Sequence, residues 1–412
     1  MRIPLLTAFA SFAFAGAAHA IFMAPLPTPV IEAPIDRALE NVRNSELIDP
    51  AQRERLLGRL NLLAFARDDG NFAYIQESGD LNENGAVLCK DVQTMGRPVR
   101  GETPPPPPPD SLCARFTFEL GPRDEVPAQI APSISAAGRA RLMEAERHYA
   151  ASLRFDGENL RALLGHAYAL DKLGFTDAAR SRLRRLIELG LPKLAAPQSD
   201  WEDHAVLTEA ATHLEHLAET RADRRAVARL RERLGASQPM MYVTPLVVPL
   251  RDAPFDALID RDSDVAFDFA GTGDARAQGW LGPDAAWLVW DPKGRGDVRS
   301  GFDLFGETTW AAFFHDGFEA LGSLDDNHDG EVAGEELEGV ALWRDENGDG
   351  KSSPEEVRPV SEYGIAGLAA RARETHIGLM QAPGGVRFED GSTRPLYDWW
   401  PGLYRGVPVP TS

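Results

Sequence analysis

"LDDNHDGEVAGEELEGVALWRDENGDGKSSPEEV", Leu324 to Val357, holds two clusters of Asp, Asn and Gly, each closed by a Glu, whose leading Asp residues stand 20 positions apart. A twelve-position calcium loop takes side-chain oxygens from positions 1, 3 and 5, a backbone carbonyl from 7 and a bidentate Glu from 12, with Gly at 6 for the sharp turn. The first cluster meets each demand. Asp325 is position 1, Asn327 is 3, Asp329 is 5, Gly330 is 6, Glu331 supplies the carbonyl at 7 and Glu336 is 12. Val332 stands at position 8, where a buried aliphatic is expected, and "GEELEGVALW" follows where an exiting helix is expected to begin.

The second cluster places Asp345, Asn347, Asp349, Gly350, the Lys351 carbonyl and Glu356 in the same slots, with Ser353 at position 9. It is weaker at two points: Ser352 takes the aliphatic position 8, and Lys351 brings a positive charge. Ser353-Pro354-Glu355-Glu356 also reads as a helix-capping box with Pro at the first helical position, in which Glu356 caps rather than chelates. Eight residues separate Glu336 from Asp345, so one short helix is expected to serve both loops, burying Leu337, Val340 and Trp343. So compact a unit leaves no room for a calmodulin-like opening. The expectation is one or two Ca2+ ions that complete a fold, because metal-binding energy is folding energy where a site is otherwise a repulsive carboxylate cluster. Three ligand carboxylates per loop leave a net charge near -1 with calcium bound, which suits an affinity of about 10⁻⁴ M or somewhat tighter.

Poorer echoes surround the pair. "DPKGRGDVRSGFDLFG" keeps Asp291, Gly296 and Val298, but Lys293 and Arg295 replace oxygen ligands, so a structural turn is expected. Asp268–Ala275 is depleted in the same way. Asp80, Asn82, Asn84, Gly85 and Asp91 have the spacing, yet Asn84-Gly85 is a hairpin signal.

The order "VAFDFAGTG", "GWLGPDAAWLVWD", "LFGE", "DGFEALGSLDDNHDG", "LWRDENGDG", "VRPVSEYGI" resembles a calcium-binding module of secreted bacterial proteins, some associated with haemolysin-type calcium-repeat proteins. The likeness covers roughly 243–403. It implies EF-hand-type calcium binding at 325–336 and 345–356, with a related third turn at 291–303. Residues 243–403 are read as an α+β domain of short strands joined by Gly turns. It begins with "MYVTPLVVPL" as an edge strand or linker and ends in a hairpin over Asp390-Gly391.

Upstream, residues 34–234 are mainly helical. "DPAQRERLLGRLNLLAFAR" opens after an Asp-Pro pair, and "SAAGRARLMEAERHYAASLRF" sets Leu142, Ala145, Tyr149 and Leu153 on one face. A period of 34 maps Ala145 to Ala179, Tyr149 to Leu183, Ser152 to Leu186 and Gly157 to Leu191. With Leu163, Ala167, Leu170 and Gly174 this resembles the tetratricopeptide repeat for about one and a half repeats. The resemblance implies an all-α helical-repeat domain that binds a protein partner. Residues 67–134 interrupt it as a flap holding Cys89, Cys113 and the run Pro104–Pro109.

The first 20 residues, with Arg2, an apolar run and Ala18-His19-Ala20, read as a secretory signal. Two cysteines in an exported chain favour one disulfide, Cys89 to Cys113. The six prolines are expected to form a polyproline rod of about 19 Å. A formal net charge of -20 argues against nucleic acid or an anionic membrane as partner. No later run approaches about 18 apolar residues, so no membrane span is expected.

No Gly-x-Ser-x-Gly, His-Glu-x-x-His or phosphate-binding Gly loop occurs. His213 and His216, with His204 and Glu209 nearby, have zinc-like spacing on an amphipathic segment that reads more simply as ordinary helix. His315 and Asp316 are unremarkable alone. Trp399, Trp400 and Tyr404 read as a core cluster rather than a sugar platform. The functional expectation is an exported, non-catalytic calcium-binding protein. A hydrolase with structural calcium and a dockerin-like adhesion module stand as alternatives.

Overall fold

The computed structural model describes residues 32–69, 134–195, 199–237, 239–240, 243–271, 275–372, 374–376 and 379–402. The signal segment, Cys89, Cys113, the proline run, the Asp80–Asp91 echo and Tyr404 lie outside these residues. So do residues 70–133 of the 67–134 flap.

The architecture is helical first and β second. The helices are α1 (Ile35–Asn44), α2 (Pro50–Asp69), α3 (Ala136–Phe155), α4 (Leu160–Lys172), α5 (Thr176–Gly190), α6 (Trp201–His216) and α7 (Arg221–Ala236). Their starts are written in the sequence. Asp49, Ser135, Asn159 and Asp200 each accept a hydrogen bond from a backbone amide of the first turn, and Thr220 with Asp223 forms a reciprocal capping box. The stop between α4 and α5 is Gly174 at φ 91, where the Phe175 amide donates to the Leu170 carbonyl at 2.8 Å. Tyr149 of α3 lies against Gly58 of α2 and Gly165 of α4; a Cβ at Gly58 would sit 2.9 Å from its ring. Leu142, Ala145 and Tyr149 are buried, as the one-face reading expects.

The second half is a nine-stranded antiparallel sheet. Its strands are β1 (Leu246–Pro249), β2 (Ala285–Trp290), β3 (Glu331–Ala333), β4 (Val340–Trp343), β5 (Val357–Pro359), β6 (Ile365–Ala369), β7 (Glu374–His376), β8 (Leu379–Phe388) and β9 (Thr393–Trp399). They run in the order β5-β4-β2-β1-β9-β8-β6-β3, with β7 on β8. The β8–β9 hairpin turns over Asp390 and Gly391, the latter at φ 82. Short pairings between 259–260 and 280–281, and between 266–267 and 276–277, flank the sheet.

Two elements differ from the sequence reading. The "LVVP" run is a central strand between β9 and β2, not an edge or linker. Its prolines flank the run or end it, so Leu246, Val247 and Val248 keep their amides for pairing. The short helix expected between the two loops is a single 3-10 turn at Gly334–Leu337 followed by strand β4. Gly339 at φ 87 breaks the helical course, and the apolar run Val340–Trp343 is buried on both faces of the sheet. The only α-helix in the described part of this half is α8 (Gly317–Gly322).

The halves meet at an unusual segment. Trp310, Ala311 and Phe313 are buried non-glycine residues at φ 51, 57 and 59. Left-handed backbone at such residues persists only where surroundings over-determine it. Here Arg59 Nε of α2 donates to the Ala311 carbonyl at 2.8 Å and Arg55 donates to the Phe313 carbonyl. Both arginines are buried. The aromatic core lies beside this junction, with Trp287 and Trp399 stacked at 5.9 Å and 7°.

Candidate metal centre

The loop at 325–336 leaves α8 and runs into β3. Asp325 Oδ2 accepts the Gly330 amide at 2.9 Å. The Asn327 side chain accepts the Asp329 amide, and Asp329 accepts that of Glu331. Glu336 closes the loop: Oε1 takes the amides of Asp326 and Asn327, and Oε2 takes that of Ala333. Arg387 holds the Glu331 carboxylate with two bonds of 2.8 Å, so position 7 offers the loop its carbonyl. One atom is left over. Asp325 is 3% exposed, and its Oδ1 is buried with no well-formed hydrogen bond, the His328 amide making at most a weak approach to the carboxylate. An orphaned carboxylate oxygen in such a place costs free energy until a cation or donor meets it. Burial raises the Asp325 carboxyl above its ordinary value; the Glu336 and Asp329 charges add to this, while the backbone amides of Gly330 and, more weakly, His328 oppose it.

The loop at 345–356 repeats the pattern. Asp345 Oδ2 accepts the Gly350 amide at 2.9 Å, Asn347 accepts Asp349, Asp349 accepts Lys351, and Glu356 Oε1 accepts the position-2 amide of Glu346. Ser353 Oγ donates to Glu356 Oε2, and the expected capped helix is a turn leading into β5. Unlike Asp325, Asp345 has both oxygens engaged: Oδ1 by Gly348, Oδ2 also by Trp280 Nε1 at 2.7 Å.

The turn at Asp291 has the same backbone. Asp291 Oδ2 accepts the Gly296 amide at 2.9 Å. Positions 4 and 6 are left-handed in all three: His328 and Gly330 at φ 58 and 90, Gly348 and Gly350 at 71 and 70, Gly294 and Gly296 at 59 and 65. In the third turn Lys293 and Arg295 occupy positions 3 and 5, and both bond Glu32 rather than a cation. Position 8 shows which loops adjoin. Ser352 of the second loop bonds Val298 of the third turn in both directions, its Oγ accepting the Val298 amide at 2.7 Å and donating to the Val298 carbonyl at 3.2 Å. Val332 of the first loop instead lies opposite Leu368 in the sheet.

Among the described residues no three His, Cys, Asp or Glu side chains converge as a ready-made metal cage. Most of the loop carboxylates are tied to their own backbone amides, and Asp325 Oδ1 is the buried loop oxygen without a well-formed bond. The donor set is all oxygen, the chemistry a hard cation such as Ca2+ takes.

The other sequence candidates fall apart or into the core. His213 is buried in α6, edge-on to Tyr168 and 3.5 Å from Asp171, while His216 is exposed and His204 faces the Leu234 carbonyl. Asp316 caps α8 through the Glu319 amide. Trp399 and Trp400 are buried. What the motif reading missed is what surrounds the loops: Trp280 on Asp345, and α1 on the first loop. The polar Asn41, three residues after buried Ala38 and four after Arg37, was the available signal.

Residues 246–401 match the family model of the SPM domain. The matched segment takes in every strand of the sheet, both loops and the third turn, and leaves out α1–α7. Within the curated proteins, the chain is 32% identical over 142 residues to the iron-regulated protein FrpA of Neisseria meningitidis serogroup C. That alignment covers 32% of this chain and 13% of FrpA, so the chain spans a small part of the relative it matches. Among the described residues no helix is long and apolar enough to cross a membrane.

Proposed function

We propose that the chain is an exported, non-catalytic calcium-binding protein whose β half is completed by one or two Ca2+ ions. The observation that carries this reading is Asp325 Oδ1, buried without a well-formed hydrogen bond at position 1 of a twelve-residue oxygen-rich loop. Asp325, Asn327, Asp329, the Glu331 carbonyl and Glu336 would hold the first ion. Asp345, Asn347, Asp349, the Lys351 carbonyl and Glu356 would hold the second. Bound calcium neutralises the crowded carboxylates and adds its binding energy to folding. The second loop is the weaker site, because Trp280 and Gly348 already engage Asp345.

The helical half is proposed as a tetratricopeptide-like region. Its face around Arg55 and Arg59 is filled by the chain's own 311–313 segment. A protein partner would therefore meet its outer side, where Met143, Phe155 and Phe175 are more than half exposed. The test is calcium titration by calorimetry together with thermal melting in chelator. Saturable heat and a lower melting temperature in chelator support the reading; neither would remove it.

A further inference from the structure

The segment 32–41 crosses two of the three related turns, and its charges are matched to each. On the first loop, Arg37 Nε bonds Asp326 Oδ1 at 2.7 Å, and its Nη2 reaches the carbonyls of Leu324 at 2.5 Å and Glu336 at 3.4 Å. Asn41, 5% exposed, donates to the Ser323 carbonyl at 3.0 Å and to Asp326 Oδ1 at 2.8 Å. These anchors bracket the loop: before position 1, at position 2 and at position 12. None of them uses an oxygen assigned to the metal except through the backbone of Glu336. On the third turn, the ligand positions have become the cations Lys293 and Arg295, and there the segment supplies Glu32, bonded to both at 2.8 Å. Trp290 Nε1 donates to the Glu32 carbonyl at 3.2 Å. The segment thus presents a cation and an amide to the acidic loop and a carboxylate to the basic turn.

We infer that residues 32–44 form a strap whose docking is coupled to calcium at the first loop, with Arg37 and Asn41 as positioning residues for that site. This rests on the calcium reading above. A loop already held at both ends has less freedom to lose when the ion binds, so strap and ion favour each other. Linkage makes the effect reciprocal: whatever the strap adds to calcium affinity, calcium adds to strap docking. Couplings of this kind run from about 5-fold to 150-fold.

The experiment uses the full chain with Asp349→Ala, an exposed position-5 residue, to silence the second loop. Calcium affinity is measured by calorimetry with and without Asn41→Ala, and amide exchange of α1 is followed by mass spectrometry with calcium or chelator. Asn41→Ala changes no charge, and the expected result is at least a fivefold loss of affinity. Calcium should slow α1 exchange by at least fivefold in the parent and by less in the variant. Arg37→Ala serves as the second variant. Removing its positive charge would by itself tighten calcium binding, so a weaker site there also excludes charge as the cause. A parent that binds calcium, with both variants binding equally or more tightly and α1 exchange indifferent to calcium, overturns the strap and leaves the calcium reading standing. A parent that shows no calcium saturation overturns both.

Discussion

Trp280 Nε1 donates to Asp345 Oδ2 across 2.7 Å, joining the buried aromatic cluster to position 1 of the second loop. Trp280 packs 5.5 Å from Trp343 and 5.4 Å from Trp287. Any ion that draws on Asp345 therefore alters the environment of an indole. Calcium is expected to change tryptophan emission in the wild type, and Asp345→Ala or Trp280→Phe should remove most of that change. An undiminished emission change in both variants would show that the signal arises elsewhere.

The packing of Tyr149 makes the helical half sensitive at a residue with no side chain. A Cβ at Gly165 would lie well inside contact distance of the Tyr149 ring, which the core around α2, α3 and α4 holds in place. Gly165→Ala is expected to cost about 1–3 kcal/mol by overpacking, against a helix-propensity gain of roughly 1 kcal/mol. Urea denaturation of wild type and variant measures the difference. Gly235→Ala, with open space at its Cβ, is the control and should be neutral or mildly stabilising.

Arg59 and Arg55 hold the left-handed segment 310–313 to α2. Removing a charged donor strips a hydrogen bond of about 1.5–3 kcal/mol and leaves a buried carbonyl short of a partner. Arg59→Ala is expected to lower stability by about that amount. It should also broaden or split a melting transition that is single in the wild type, as followed by calorimetry. An unchanged single transition would mean that the halves are coupled through other contacts.

An acidic pair, buried Asp398 and half-buried Glu307, sets a pH dependence. Asp398, 1% exposed, accepts the Gly317 amide; burial, then the Asp316 charge, pushes it up to about 8, while Thr244, the Gly317 amide and His315 oppose the rise. Glu307 is raised well above the ordinary carboxylate range by burial and then by Asp398, with Arg161 opposing. A carboxyl raised in the folded state binds protons that the unfolded state has released. Its contribution is fully present below about pH 4 and is lost as pH rises toward 8. In chelator, the melting temperature of the wild type should fall from pH 5 to 8, and Asp398→Asn should flatten that slope. Equal slopes in the two proteins would place the titration elsewhere.

Much of the helical half was legible because capping residues and 3.6-residue periodicity act locally. The Asp49-Pro50 start and the face carrying Leu142, Ala145 and Tyr149 are readable from the chain alone. The loops at 325–336 and 345–356 were legible for the same reason, since position and residue type dictate their internal bonds. The connection between them was misread as helix because Leu337, Val340 and Trp343 also fit a helical face. The sheet, which no local rule supplies, decides in favour of strand at Val340–Trp343. Arg37, Asn41 and Trp280 escaped notice because their partners lie 289, 285 and 65 residues away. The raised Asp398 has no sequence signature, as its environment is made by Asp316 and Gly317 on another segment.

The central claim is tested most directly by calorimetric calcium titration of the wild type beside Asp325→Ala. The account predicts saturable binding in the wild type, at about 10⁻⁴ M or tighter, and loss of the stronger event in Asp325→Ala with a folded far-UV spectrum retained. A wild type without binding heat, or an Asp325→Ala variant that titrates like the wild type, would contradict it.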